Sequence, residues 1–369
     1  MTAKTKPHVM AIVFPILAIA FVLLAPFIGF DAGTQPPSLL SLVLSAVMVG
    51  IMLGAVFAAV HHADVIAHRI GEPFGTLVLT LAVTVIEVAL IESIVLTPGS
   101  SPALARDTVF AVIMIVCNGL VGLCILWGGL RHHEQEFQTS GAGVYLSLLA
   151  ALSILTLVLP NYTVTTIGPY FSNTQLIFVS IVTIILYVAF LFIQTSRHTD
   201  YFRAESATAR DGDHAYPSDR LVAASVVMLL LALCGVILIS KKFAAILEIG
   251  LFRIGAPPAV SGIIIAMIVL APESITAVQS ARHNELQKSI NLALGSSLAT
   301  IGLTIPAVAI TNVFIGNQIE IGLSSRDTLL LGLTLYLSLL TFGTGRTNIL
   351  AGLVHLVVFA TFLFLVFIP

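Results

Sequence analysis

Apolar residues in this chain come in long unbroken blocks, separated by short polar breaks. A bilayer core needs about 20 apolar residues per helix. The blocks therefore predict about eleven membrane helices, near residues 10–30, 38–60, 73–97, 107–130, 143–160, 174–195, 221–240, 257–281, 289–313, 327–343 and 348–368. The first block is too long for the apolar part of a secretory leader, and no small-residue cleavage site clearly follows it. It reads as a helix. The expected class is an all-α polytopic membrane protein.

Composition agrees. Of 369 residues, 58% are hydrophobic and 9% charged, against roughly 25% charged in soluble domains. Such a chain cannot cover a water-facing surface, and disorder, collagen and coiled coil are excluded with it. A net charge of −2 offers no basic field for nucleic acid. Cys117, Cys124 and Cys234 lie in apolar runs with neither disulfide nor zinc spacing, so they read as small packing residues.

The longest hydrophilic stretch, Arg197 to Arg220, mixes Asp200, Glu205, Asp211, Asp213 and Asp219 with arginines. Residues 196–220 read as a charged cytoplasmic linker, solvated rather than folded. It separates residues 1–37, an extra helix, and 38–195, a first five-helix half, from 221–369, a second. Eleven of the sixteen Lys and Arg residues fall on the side of the N-terminus. That bias places the N-terminus in the cytoplasm and, with an odd helix count, the C-terminus outside.

An internal repeat is visible. Arg69-Ile70-Gly71-Glu72-Pro73 leads into an apolar run that reaches Glu87, and Arg253-Ile254-Gly255-Ala256-Pro257 leads into one that reaches Glu273. The glutamates lie eighteen and twenty positions past their arginines. This pairs the third helix with the eighth. An odd offset of five helices makes two inverted repeats, which place a substrate site near the bilayer midplane.

Three acids lie inside apolar runs: Glu87, Glu92 and Glu273. Each costs about 2.5–3.5 kcal/mol to place at a helix centre, so intramembrane acids are functional by default. Glu87 and Glu273 are expected to bind a cation and protons. Carboxylates are hard ligands suited to calcium, sodium or magnesium, and like charges raise each other's proton affinity. Glu92, five residues past Glu87, reads as a vestibule residue. Pro272 is expected to break the ladder beside Glu273 and free backbone carbonyls. Thr84, Asn118, Ser296, Ser297 and Thr300 are candidate neutral ligands, helix packing being the alternative for the hydroxyl residues. Gly75 and Gly262 open their helices to close approach, and Gly50-Ile51-Met52-Leu53-Gly54 fits a helix contact. His61, His62, Asp64, His68 and Glu72 cluster at one helix end. His62 and Glu72 are candidates for proton access, with ordinary interfacial polarity the alternative and an Arg69–Glu72 pair possible. His355 reads as a packed, hydrogen-bonded histidine rather than a ligand.

These motifs resemble the calcium/cation antiporter superfamily. The most specific part is Ala271-Pro272-Glu273-Ser274 followed by Lys288-Ser289-Ile290-Asn291-Leu292-Ala293-Leu294-Gly295-Ser296-Ser297. Residues 343–352 resemble the segment leading into the last helix of the proton-coupled branch, and residues 61–73 are similar to bacterial calcium and sodium/proton antiporters of the ChaA type. The resemblance implies antiport of calcium, sodium or potassium against protons in a bacterial inner membrane, with Glu87 and Glu273 as the binding pair. No cofactor is implied beyond the transported ions, and the oligomeric state is left open. Many members carry Gly-Asn-x-x-Glu at each repeat glutamate. Here the residues are Val83-Thr84-Val85-Ile86-Glu87 and Val269-Leu270-Ala271-Pro272-Glu273. Fewer amides leave calcium, which takes six to eight oxygens, less well served. Sodium-coupled calcium exchange is the alternative, then a channel, though no filter loop stands out. An enzyme is disfavoured: His133-Glu134-Gln135-Glu136-Phe137 lacks the second histidine of a zinc protease, and there is no Gly-x-Ser-x-Gly elbow.

Overall fold

The computed structural model describes residues 9–27, 30, 39–71, 74–96, 101–202, 217–315 and 319–368. Among them are eleven helices: α1 Val9–Leu24, α2 Leu39–Ile70, α3 Phe74–Val95, α4 Leu104–His132, α5 Thr139–Tyr162, α6 Asn173–Arg197, α7 Asp219–Arg253, α8 Ala259–Arg282, α9 Leu286–Asn312, α10 Ser325–Phe342 and α11 Ile349–Phe367. Eight are long and apolar enough to cross a membrane. The chain is a multi-pass membrane protein.

Every predicted helix is present, but two are much longer than expected. The 32 residues of α2 run through the histidine cluster, and the 35 residues of α7 run past Lys241 and Lys242. At 1.5 Å per residue both exceed a bilayer core of about 30 Å. Neither helix contains a proline, and neither has a left-handed residue before Gly71 or Gly255. Those glycines stop the helices at φ +78° and +66°, a left-handed turn that glycine adopts without strain. They occupy the same place in the two repeat segments. Lys241 and Lys242 thus sit inside a helix rather than in a loop.

The helices form two compact units. One holds α1, α2, α3 and α7, with α2 packed along α7 and α1 against both. Gly54 of the small-residue motif abuts the Phe14 ring of α1, whereas Gly50 touches nothing. The second unit holds α4–α6 and α8–α11. Here α4 crosses α11 at Gly122 and Gly352, whose backbones leave no room for a methyl group. A short antiparallel pair, β1 Glu134–Glu136 and β2 Arg346–Asn348, ties the ends of α4 and α11. Gly262 lies against the backbone of Thr108.

Burial separates inner from outer helices. In α4 and α9, 89% and 78% of the most apolar stretch is enclosed, against 22–56% elsewhere. Apolar side chains of α6 such as Ile177, Phe178 and Ile181 point outward, as a lipid-facing helix requires. The two enclosed helices are related by the repeat offset. Each carries a π turn at mid-length, Ile115–Leu120 in α4 and Thr300–Thr304 in α9. The turns begin 28 residues beyond Glu87 and 27 beyond Glu273. Other π turns fall at the ends of α5 and α6.

The linker begins docked rather than solvated. Phe202 is buried edge-on against Tyr145 and Phe190, and Asn291 Nδ2 donates to its carbonyl at 2.5 Å. Glu205, Asp211 and Asp213 lie outside the described residues. Cys117 and Cys124 are buried, but Cys234 is exposed.

Candidate cation site

Glu87 belongs to the first unit. It sits at the middle of α3 with 2% of its surface exposed. Thr84, one turn earlier, is also buried, and its hydroxyl donates to the Thr80 carbonyl at 2.8 Å. Its lone pairs stay available. Glu92 is half-buried, in keeping with a place nearer the helix end.

Glu273 belongs to the second unit and is 7% exposed on α8. The Ser296 hydroxyl of α9 is a hydrogen-bond partner of this carboxyl. Its second oxygen, Oε2, is buried with no hydrogen-bond partner among the described residues. An unanswered carboxyl oxygen in a membrane interior is costly and asks for a ligand. Along α9, the Ser297 and Thr304 hydroxyls are buried without partners as well, and Thr300 between them is fully enclosed. Spacings of three and four put all three on one helix face. Thr304 was missed by sequence reasoning, although its position one turn beyond Thr300 was a usable signal. Tyr187 of α6, close enough to Glu273 to feel its charge, carried no such signal.

Three expectations change. At Pro272 the ladder loses one rung rather than the several expected, and helix α8 runs on from Ala259 to Arg282. The proline removes one donor, the one that would answer the Ile268 carbonyl. A single missing rung inside a packed apolar helix is not enough to end it. His62 does not line an open entry. It is 2% exposed, with Nδ1 3.2 Å from Ser225 Oγ and Nε2 3.1 Å from the Ala11 carbonyl. Pro15 inside α1 has no N–H to answer that carbonyl, so His62 takes its place. Arg69 pairs with Asp219 at 2.5 Å; Glu72 lies outside the described residues.

Asn118 is fully buried in the π turn of α4. Its Nδ2 donates to Thr334 Oγ1 at 2.8 Å, and its Oδ1 lies 3.1 Å from His355 Nδ1. One lone pair of Oδ1 is left over. His355 is the packed, hydrogen-bonded histidine the sequence suggested. Among the described residues no group of three or more His, Cys, Asp or Glu could hold a metal ion.

Enclosed carboxylates in repeat-related apolar helices, flanked by neutral oxygens, define an ion-handling membrane protein. The chain belongs to the family described as sodium/calcium exchanger protein, which matches residues 40–196 and 224–368. It is 45% identical to the putative ionic transporter y4hA of Sinorhizobium fredii over 310 residues, 84% of each chain. It is 35% identical to the sodium-potassium/proton antiporter ChaA of Escherichia coli over 367 residues, 99% of this chain and 98% of that one. Its fold is that of the H+/Ca2+ exchanger CAX, with TM-score 0.72 at 15% identity over 98% of this chain and 89% of the other.

Proposed function

We propose that this chain is a secondary cation/proton antiporter that exports calcium, sodium or potassium in exchange for protons by alternating access. One observation carries the reading. Glu273 buries a carboxyl oxygen that no described protein donor answers, with Ser296 of α9 against the same carboxyl. Such a group accepts either a proton or a cation, and the two compete. Glu87 holds the same place in the other repeat and is assigned the same two cargoes. Asn118, Thr84, Ser296, Ser297 and Thr300 supply neutral oxygens. Glu92 is assigned to the vestibule and Glu72, on sequence grounds alone, to proton access. His62 has no entry role in this reading.

The protein is a transporter, not an enzyme, and the cations and protons are its substrates. The cargo assignment is supported by the names of its relatives: sodium and potassium for the Escherichia coli protein, calcium for the CAX exchanger. Residues 38–195 and 221–369 are proposed as inverted copies, after an extra helix in 1–37 and joined by 196–220. The twofold family match, the paired glycines and the paired π turns support this. The proposed setting is a bacterial cytoplasmic membrane, N-terminus inside and C-terminus outside.

The test uses everted membrane vesicles with an acidified interior and a pH-gradient dye. Calcium, sodium, potassium and magnesium are added one at a time. Dequenching by at least one cation, absent in Glu273→Gln, is the expected result. No response to any cation, with the protein shown to be inserted, overturns proton coupling and turns the reading toward sodium-coupled calcium exchange or a channel.

A further inference from the structure

A buried hydrogen-bond chain links α10, α11 and α4 within the second unit. It starts at Thr341, whose hydroxyl lies 3.0 Å from His355 Nε2. His355 Nδ1 lies 3.1 Å from Asn118 Oδ1, and the Cys117 carbonyl is a hydrogen-bond partner of the same ring. Asn118 Nδ2 donates to Thr334 Oγ1 at 2.8 Å, and the Thr334 hydroxyl reaches Met114 Sδ at 3.4 Å. His355, Asn118 and Thr334 have no exposed surface.

The chemistry of the partners gives this chain a direction. An amide oxygen only accepts, so the imidazole facing it carries a hydrogen on Nδ1. Turning the Asn118 amide around would bring its NH2 to the ring and require Nδ1 to be bare, with the hydrogen moved to Nε2. Ring tautomer and amide orientation are therefore one variable. Packing three helices does not by itself need this arrangement, since apolar groups of the same shape would serve at lower cost.

We propose that His355 is a positioning residue for transport. It holds the Asn118 carboxamide with its oxygen toward α11 and its NH2 toward Thr334, so that the π turn of α4 offers one fixed oxygen lone pair to the cation. This rests on the reading of Asn118 as a cation ligand. His355 touches no cation and acts through Asn118 alone.

The test titrates the cation in everted vesicles and reads half-saturating concentration and maximal rate separately. His355→Asn keeps an N–H donor near the place of Nδ1; His355→Leu removes it. The leucine variant should raise the half-saturating concentration about tenfold, the effect of one lost hydrogen bond, with maximal rate nearly unchanged. The asparagine variant should stay within about twofold, since its donor is retained. In an Asn118→Ala background, His355→Leu should add nothing, because the two act as a unit. If the leucine variant fails to insert, His355→Gln, which places its amide toward the Nε2 end, carries the same contrast. Wild-type half-saturation without the donor, equal loss with and without it, or additive losses in the double variant would each overturn the positioning role. Unchanged half-saturation in Asn118→Ala would instead overturn the ligand reading of Asn118, a separately visible failure.

Discussion

Replacing Glu273 by glutamine exchanges one oxygen for an NH2 group and removes one charge. The fold should scarcely notice. Oε2 has no protein partner among the described residues, and the Ser296 hydroxyl can keep its bond to the amide oxygen. A neutral amide also costs less to bury than a carboxylate. The melting temperature in detergent should therefore hold or rise. Transport should collapse. Removing one partner of a buried charge pair costs about 3–5 kcal/mol, and each 1.36 kcal/mol is tenfold. Cation affinity should thus fall between about a hundredfold and several-thousandfold by that conversion. Dye dequenching in everted vesicles reads the transport, and a thermal melt of the purified protein reads the fold. Transport within tenfold of wild type would refute the site. A melt lowered by several degrees would refute it differently, by showing a carboxyl that holds helices together rather than cargo.

Other perturbations test neighbouring parts of the reading. Glu87→Gln should abolish exchange as Glu273→Gln does, while Glu92→Gln should only slow it; total loss at Glu92 would mean the three carboxylates are ranked wrongly. Gly352→Val should lower the melting temperature by an amount equivalent to about 2 kcal/mol or more, because a Cβ there meets Leu126 N at 2.7 Å and Gly122 O at 2.9 Å. Gly50→Ala, with nothing within 4 Å, is the control and should not destabilise. Arg106→Met should destabilise by about 1.5–3 kcal/mol, the worth of a hydrogen bond to a charged group. The guanidinium binds Asp107 and Glu320, whose side chains are only 15% and 27% exposed, and donates to the Gly322 carbonyl at 3.0 Å. Adding Glu320→Gln should recover part of the loss in the same melt; no recovery would mean that Arg106 acts through packing instead.

Much of the candidate site was legible because an acid in an apolar run is conspicuous. Glu87 and Glu273 needed no structure to be singled out, and both prove to be enclosed. The neutral oxygens were harder. Thr304 looks like any small polar residue of a membrane helix, and only its unanswered hydroxyl marks it. His62 was misjudged for a related reason. Its position near charged residues suggested an entry, but its partners are a serine 163 positions away and a carbonyl 51 positions away. Neither distance is visible along the chain.

The sequence by itself determined the class of protein, the number of helices, the repeat and the two glutamates. These follow from the cost of placing each residue in lipid, which depends on that residue and its near neighbours. Tertiary structure decided that α8 carries Pro272 without ending, and where the polar atoms of Asn118, His355 and His62 turn. Those outcomes depend on partners on other helices. In a medium without water a buried polar atom must find such a partner or pay several kcal/mol, and local sequence does not say which one it finds.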